Sequence, residues 1–188
     1  MKKIVLSSLL KASLIGVCMA NPIQSVDTYL NQALAVTNES KYASFKARAL
    51  AAIGSTMVKS GKVEEGKNLF VSAFKTAKDA TVFPGAKIQS EVLLKAADAG
   101  ELTLAKTLSL SMHPSRFKDG ALTEVVIRLA EDGEIEEANS LVPSIVGPEF
   151  RALALNGIAG ALIQSKEFNF QKRQEAYEQL YKIPTDGK

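Results

Sequence analysis

Apolar residues recur along this chain at steps of three and four, the period of a helix with one buried face. Leu50, Ile53 and Met57 form one such set, Leu122, Val125 and Leu129 a second, and Leu155, Ile158 and Leu162 a third. Gly61 follows the first set and Gly133 the second. Glycine tolerates the left-handed conformation that closes a helix, so each predicts a C-terminal cap. Acids come next, Glu64 and Glu65 in one case and Glu134, Glu136 and Glu137 in the other. They suit the positive end of a following helix. The local prediction is therefore helix, tight turn, helix.

That unit repeats. The segments starting at Gly61, Gly100 and Gly133 share a glycine, a charge, an apolar residue, two variable positions, a small residue, and Leu three further on. A fourth copy begins at Lys166-Glu167-Phe168 and fades; it lacks the glycine and has Gln171 at the small position. Successive starts lie 39, 33 and 33 residues apart, and Thr81–Gly85 reads as an insertion in the longer interval. The expected units lie near 43–79, 82–113, 116–146 and 148–182, with a lone helix near 23–37 packed on the first. Pro143 predicts a short or kinked second helix in the third unit. A single helical hairpin cannot bury its apolar face alone, so such units stack and keep their contacts local.

The units resemble degenerate tetratricopeptide repeats, a family of 34-residue helical hairpins. Ile53-Gly54 falls on the family's Leu-Gly pair, and Gly61, Gly66, Phe70 and Ala73 fall on its later positions. The second unit matches at Ala96, Gly100 and Ala105 and the third at Gly133 and Ala138. The resemblance implies an all-α, right-handed solenoid of stacked antiparallel helix pairs, about nine helices after the leader. It also implies that the first helix of each unit lines a concave groove for a protein or peptide. Carried over residue by residue, the groove takes Arg48, Ser55 and Lys59; Lys87, Ser90 and Asp98; Thr123; and Asn156 and Gln164. Ala51, Leu94, Ile127, Glu131, Leu153 and Gly160 share that face. Arg48, Lys59 and Lys87 make one end basic, suited to an acidic side chain or a terminal carboxylate.

Composition alters this picture in two ways. Tryptophan is absent and aromatic residues are 6% of the chain, so the core is built from Ala, Leu, Val and Ile, which permit close helix approach. The first twenty residues read as an export signal. Lys2 and Lys3 precede an apolar run, and Ala20 offers a small residue for cleavage before Asn21. That segment carries three of the 23 basic residues and no acid, leaving 20 basic against 20 acidic. Bulk charge then gives no attraction to nucleic acid. The only cysteine is Cys18, inside the leader. Ile15-Gly16-Val17-Cys18 loosely resembles a bacterial lipoprotein box, with Cys18 as the lipid carrier, although Val17 stands where Gly, Ala or Ser is usual.

Candidate chemistry is sparse. His113 is the only histidine and adjoins Pro114. No His/Cys cluster suits a transition metal, and no Gly-rich phosphate loop appears. The acids around Gly133 lack calcium-loop spacing. Phe170, Tyr177, Leu180 and Tyr181 form an apolar stripe suited to capping the last repeat or to a dimer contact. The sequence thus points to an exported, periplasmic or secreted scaffold without enzymatic activity or cofactor, anchored to a membrane only through Cys18. Two alternatives stand beside it: a hydrolase using a carboxylate pair in the groove, and a structural subunit that associates with itself.

Overall fold

A computed structural model describes residues 22–80 and 84–181, with side chains described at all of these except 22–25, 167, 168 and 172–181. The leader and Cys18 lie outside the described residues. Those described form eight α-helices: α1 (Pro22–Glu39), α2 (Ala43–Lys59), α3 (Val63–Ala77), α4 (Gly85–Asp98), α5 (Leu102–Leu110), α6 (Arg116–Glu131), α7 (Ile135–Leu141) and α8 (Pro148–Tyr181). A 3-10 turn, Val142–Ser144, follows α7, so Pro143 stands at the end of a seven-residue helix. No strand occurs among the described residues.

The three turns are built by the same device. Gly61, Gly100 and Gly133 have φ of +90°, +89° and +87°, a region that side chains with a Cβ rarely enter. The residue after each glycine donates its N–H back five positions: Lys62 to Met57 O, Glu101 to Ala96 O and Glu134 to Leu129 O, all within 2.8–2.9 Å. This is the Schellman closure that satisfies the last carbonyls of a helix.

Within the first hairpin the two helices nearly touch. A Cβ on Gly66 would stand 2.6 Å from Val58 Cγ2 and 2.7 Å from the Gly54 carbonyl. The Gly54–Gly66 pair therefore sets the α2–α3 spacing, and Leu50, Phe70, Ala73 and Phe74 fill the seam beside it. The first helices of successive hairpins contact one another in order, α2 with α4, α4 with α6, and α6 with α8. The second helices bridge forward: α3 touches α4 and α5, α5 touches α6, and α7 touches α8. A single apolar cluster runs from Leu50 to Ala161 through all of them. On its N-terminal side α1 adds Leu30 against Ile53 and Met57.

The fourth unit departs from the expectation of a hairpin. Residues 148–182 were expected to hold two helices, and α8 runs straight through Lys166 for 34 residues. The cause is local: without a glycine the backbone has no inexpensive left-handed residue at which to turn. Among the described residues eight helices stand where about nine were expected.

Candidate binding groove

The outward side of α2, α4 and α6 carries two hollows that share Asp98. The first, about 410 Å³, is lined by Arg48 and Ala51 from α2 and by Glu91, Val92, Leu94, Lys95 and Asp98 from α4. Its floor is aliphatic and its rim charged. The floor exists because helical spacing turns Val92 into the core while Leu94 remains 37% exposed. The second, about 450 Å³, lies by the helix ends and is polar, with Lys59, Asp98, Arg128, Glu131 and Asp132 around Gly100 and Leu102.

Ion pairs knit the rim together. Arg48 Nε donates to Glu91 Oε2 at 2.6 Å and its Nη2 to Oε1 at 3.2 Å, a two-point contact joining α2 to α4. This hydrogen bond holds the Arg48 guanidinium pKa above its ordinary value. Arg128 plays the same part between α6 and α4. It donates to Glu124 on its own helix and to Asp98 on α4, each at 3.0 Å. Its pKa is raised first by Glu124, with Asp98 contributing through charge. The second helices are joined likewise, Lys67 to Glu101 at 3.4 Å and Lys106 to Glu137. Lys67 and Lys106 stand six residues after their turn glycines. The matching position in the third unit is Asn139, and this ladder of lysines stops there.

The sequence-derived groove residues divide into three groups. Arg48, Lys59 and Asp98 line the hollows. Lys87 is exposed and Ser90 half-buried on α4, and Asn156 and Gln164 are exposed on α8; none of the four borders either hollow. Ser55 and Thr123 are buried. Thr123 Oγ1 lies 2.9 Å from the Asp119 carbonyl of its own helix and 3.2 Å from the Phe150 carbonyl of α8, and its single proton serves one of the two at a time, so the hydroxyl is spent inside the α6–α8 contact. At the expected basic end, Arg48 holds the carboxylate of Glu91. Glu91, Lys95 and Arg128 were missed. Glu91, Lys95 and Asp98 follow a four-then-three step along α4, a signal visible in the sequence once that helix's outward face is known.

A buried acid serves the scaffold. Asp119 is 7% exposed. Its Oδ1 accepts from Val146 N–H at 3.0 Å and its Oδ2 from Gly147 N–H at 2.9 Å. It thereby fixes the bend that delivers the chain from α7 into α8. His113 is exposed in the α5–α6 connection. Among the described residues no group of three His, Cys, Asp or Glu side chains is placed to hold a metal. Likewise, none of the described helices is long and apolar enough to cross a membrane. Comparison with protein-family models, with curated proteins and with solved structures finds no match.

Proposed function

We propose that this chain is an exported, non-enzymatic scaffold that holds an extended segment of another protein along its first helices. The carrying observation is the hollow between α2 and α4, where Ala51, Val92 and half-exposed Leu94 form an apolar floor under the Arg48–Glu91 pair. An apolar floor with a few fixed polar groups on its rim suits one aliphatic or aromatic side chain of a guest. The polar hollow beyond Asp98 continues the track with alternating charges, suited to the guest's backbone and polar side chains. The proposed architecture is a tetratricopeptide-like right-handed solenoid whose curved inner face is this track. Its supports are the ordered first-helix contacts and the three matched glycine turns. The proposed location is periplasmic or secreted, on the strength of the leader-like residues 1–20.

A photo-crosslinking amino acid placed at Leu94, in the cell that makes the protein, tests this reading. The expected result is a discrete adduct with a protein, absent when the same group replaces exposed Ser72 on α3. The adduct should also weaken when Glu91→Arg breaks the rim, and return in the Arg48→Glu, Glu91→Arg double variant. Equal labelling from positions 94 and 72 would leave the groove without a role.

A further inference from the structure

The two hollows of the groove differ in charge, and the difference selects among guests. In the first, Arg48 and Lys95 stand against Glu91 and Asp98, so the rim is balanced around an aliphatic floor. The second takes Lys59 from α2, Asp98 from α4, and Arg128, Glu131 and Asp132 from α6 and its cap. Arg128 also holds Glu124 at 3.0 Å. With Asp98 assigned to the first hollow, two cations still face three carboxylates in the second. Among the described residues Glu131 acts on Arg128 through charge without a salt bridge, and Asp132 has no ion pair.

The helix ends deepen this negative potential. Lys59, Asp98 and Glu131 are the last residues of α2, α4 and α6, so three C-terminal ends converge on the second hollow. Each carries the negative end of its helix dipole, which favours a cation within the last turn. Ala97 and half-buried Leu102 line the same hollow and offer an apolar wall to the methylene stem of a long cationic side chain. An acidic guest side chain, the expectation from Arg48, Lys59 and Lys87 alone, would meet more carboxylates than cations here.

Spacing then fixes the separation of the two guest side chains. Leu94, on the floor of the first hollow, stands four residues before Asp98, which both hollows share, or about 6 Å of helix rise. In an extended chain, side chains on one side come from residues two apart, roughly 7 Å from each other. Beyond α6 the track is filled. Ile127 holds in α6 the place that Leu94 holds in α4, six residues before the turn glycine. A Cβ on Gly157 would stand 2.4 Å from Ile127 Cγ1, so Ile127 itself occupies the α6–α8 seam. The anchoring part of a guest is therefore short.

We propose that the guest is recognised through a short motif, an aliphatic residue with a lysine or arginine two positions away. The aliphatic side chain enters the hollow between α2 and α4, and the cationic one reaches Glu131 and Asp132 at the helix ends. This inference rests on the groove reading and adds to it the chemistry of the guest.

Three fluorescent peptides, acetylated and amidated, test it by anisotropy with the full chain. One carries Lys-Ser-Leu-Ser-Lys, which sets a lysine two residues from leucine in either chain direction. The others carry Glu-Ser-Leu-Ser-Glu and Lys-Ser-Ser-Ser-Lys. The first should bind at least about tenfold more tightly than either of the others, and less tightly as salt is added. Glu131→Lys with Asp132→Lys should turn the preference to the glutamate peptide, with circular dichroism confirming the retained helices. Equal binding of the first peptide and either control, a preference for the glutamate peptide, or no binding of any overturns the motif. Those outcomes leave the groove reading standing; that reading fails separately, when the photo-crosslinker at Leu94 captures no protein in the cell.

Discussion

Glycines on this chain serve opposite ends, and their substitution separates them. Gly66 lies where a Cβ would meet Val58 and the Gly54 carbonyl, so Gly66→Ala should cost about 1–3 kcal/mol through forced separation of α2 and α3. For a chain this size that lowers the melting temperature by about 2–4 °C per kcal/mol in differential scanning calorimetry. Gly160 has nothing within 4 Å of a built Cβ and sits inside α8. Gly160→Ala should therefore stabilise by up to about 1 kcal/mol, because the unfolded chain loses freedom and the helix loses none. A gain at Gly66, or a loss at Gly160, would mean the helix spacings differ from those described. The acid at 119 belongs to the same scale. Asp119→Ala leaves the Val146 and Gly147 N–H groups without their acceptor, an expected cost of about 2–3 kcal/mol by urea titration. In Asp119→Asn one side-chain oxygen remains, so about half that loss should return.

At the scale of elements, the telling comparison is between turns that form and one that does not. Helices α2, α4 and α6 end at glycine with positive φ, and α8 passes the equivalent point at Lys166. Lys166→Gly puts the missing residue back. It should weaken α8 by about 1 kcal/mol at its middle and lower the 222 nm helical signal. The junction ion pairs behave as a second group of element-level contacts. The pKa of Lys67 is raised above 10.5, first by its hydrogen bond to Glu64 and then by charge from Glu101. A raised folded value means its contribution is complete below pH 10.5 and is lost as pH climbs through that raised value. Lys67→Met should accordingly remove stability at pH 8 while flattening the alkaline fall above pH 10.5, as read from melting curves. Because this lysine is well solvated, the change is small and shrinks in salt.

On the scale of the whole molecule, the helix–helix contacts among the described residues join neighbouring units. Helix α6 touches α4, α5, α7 and α8, whereas α1 packs chiefly on α2. Hydrogen exchange read by mass spectrometry should therefore be slowest in α4 and α6 and fastest in α1, with opening spreading inward from the ends. Uniform exchange across α1 and α6 would contradict that order of local stability. The second half of α8 is the informative exception. Its described residues Asn169, Phe170 and Gln171 are exposed, so exchange there should be faster than at the buried Ala154 and Ile158 of the same helix.

The helices and three of their ends were legible in the order of residues alone. A three-to-four apolar step and a glycine at its close are local instructions, and a helix obeys them wherever its neighbours lie. The missing fourth glycine was also legible, but its result was not. Whether a chain turns poorly or runs on depends on what would receive the second helix, and residues 167–181 offer the body no glycine like Gly66 for close approach. The groove was read in part. Arg48, Lys59 and Asp98 follow from helical phase, because phase fixes which side of a helix faces out. Ser55 and Thr123 lie on the same nominal side and are buried, since the depth of each neighbouring helix, a property of packing, decides where that side ends. The Arg48–Glu91 and Arg128–Asp98 pairs join residues 43 and 30 positions apart. Only the packing of α2, α4 and α6 against one another brings such residues within hydrogen-bond reach, and Ala51 meets Val92 and Leu94 by the same packing. Helical phase, written in the sequence, decides which side chains each helix offers outward; the tertiary structure decides which of them share a rim or a floor.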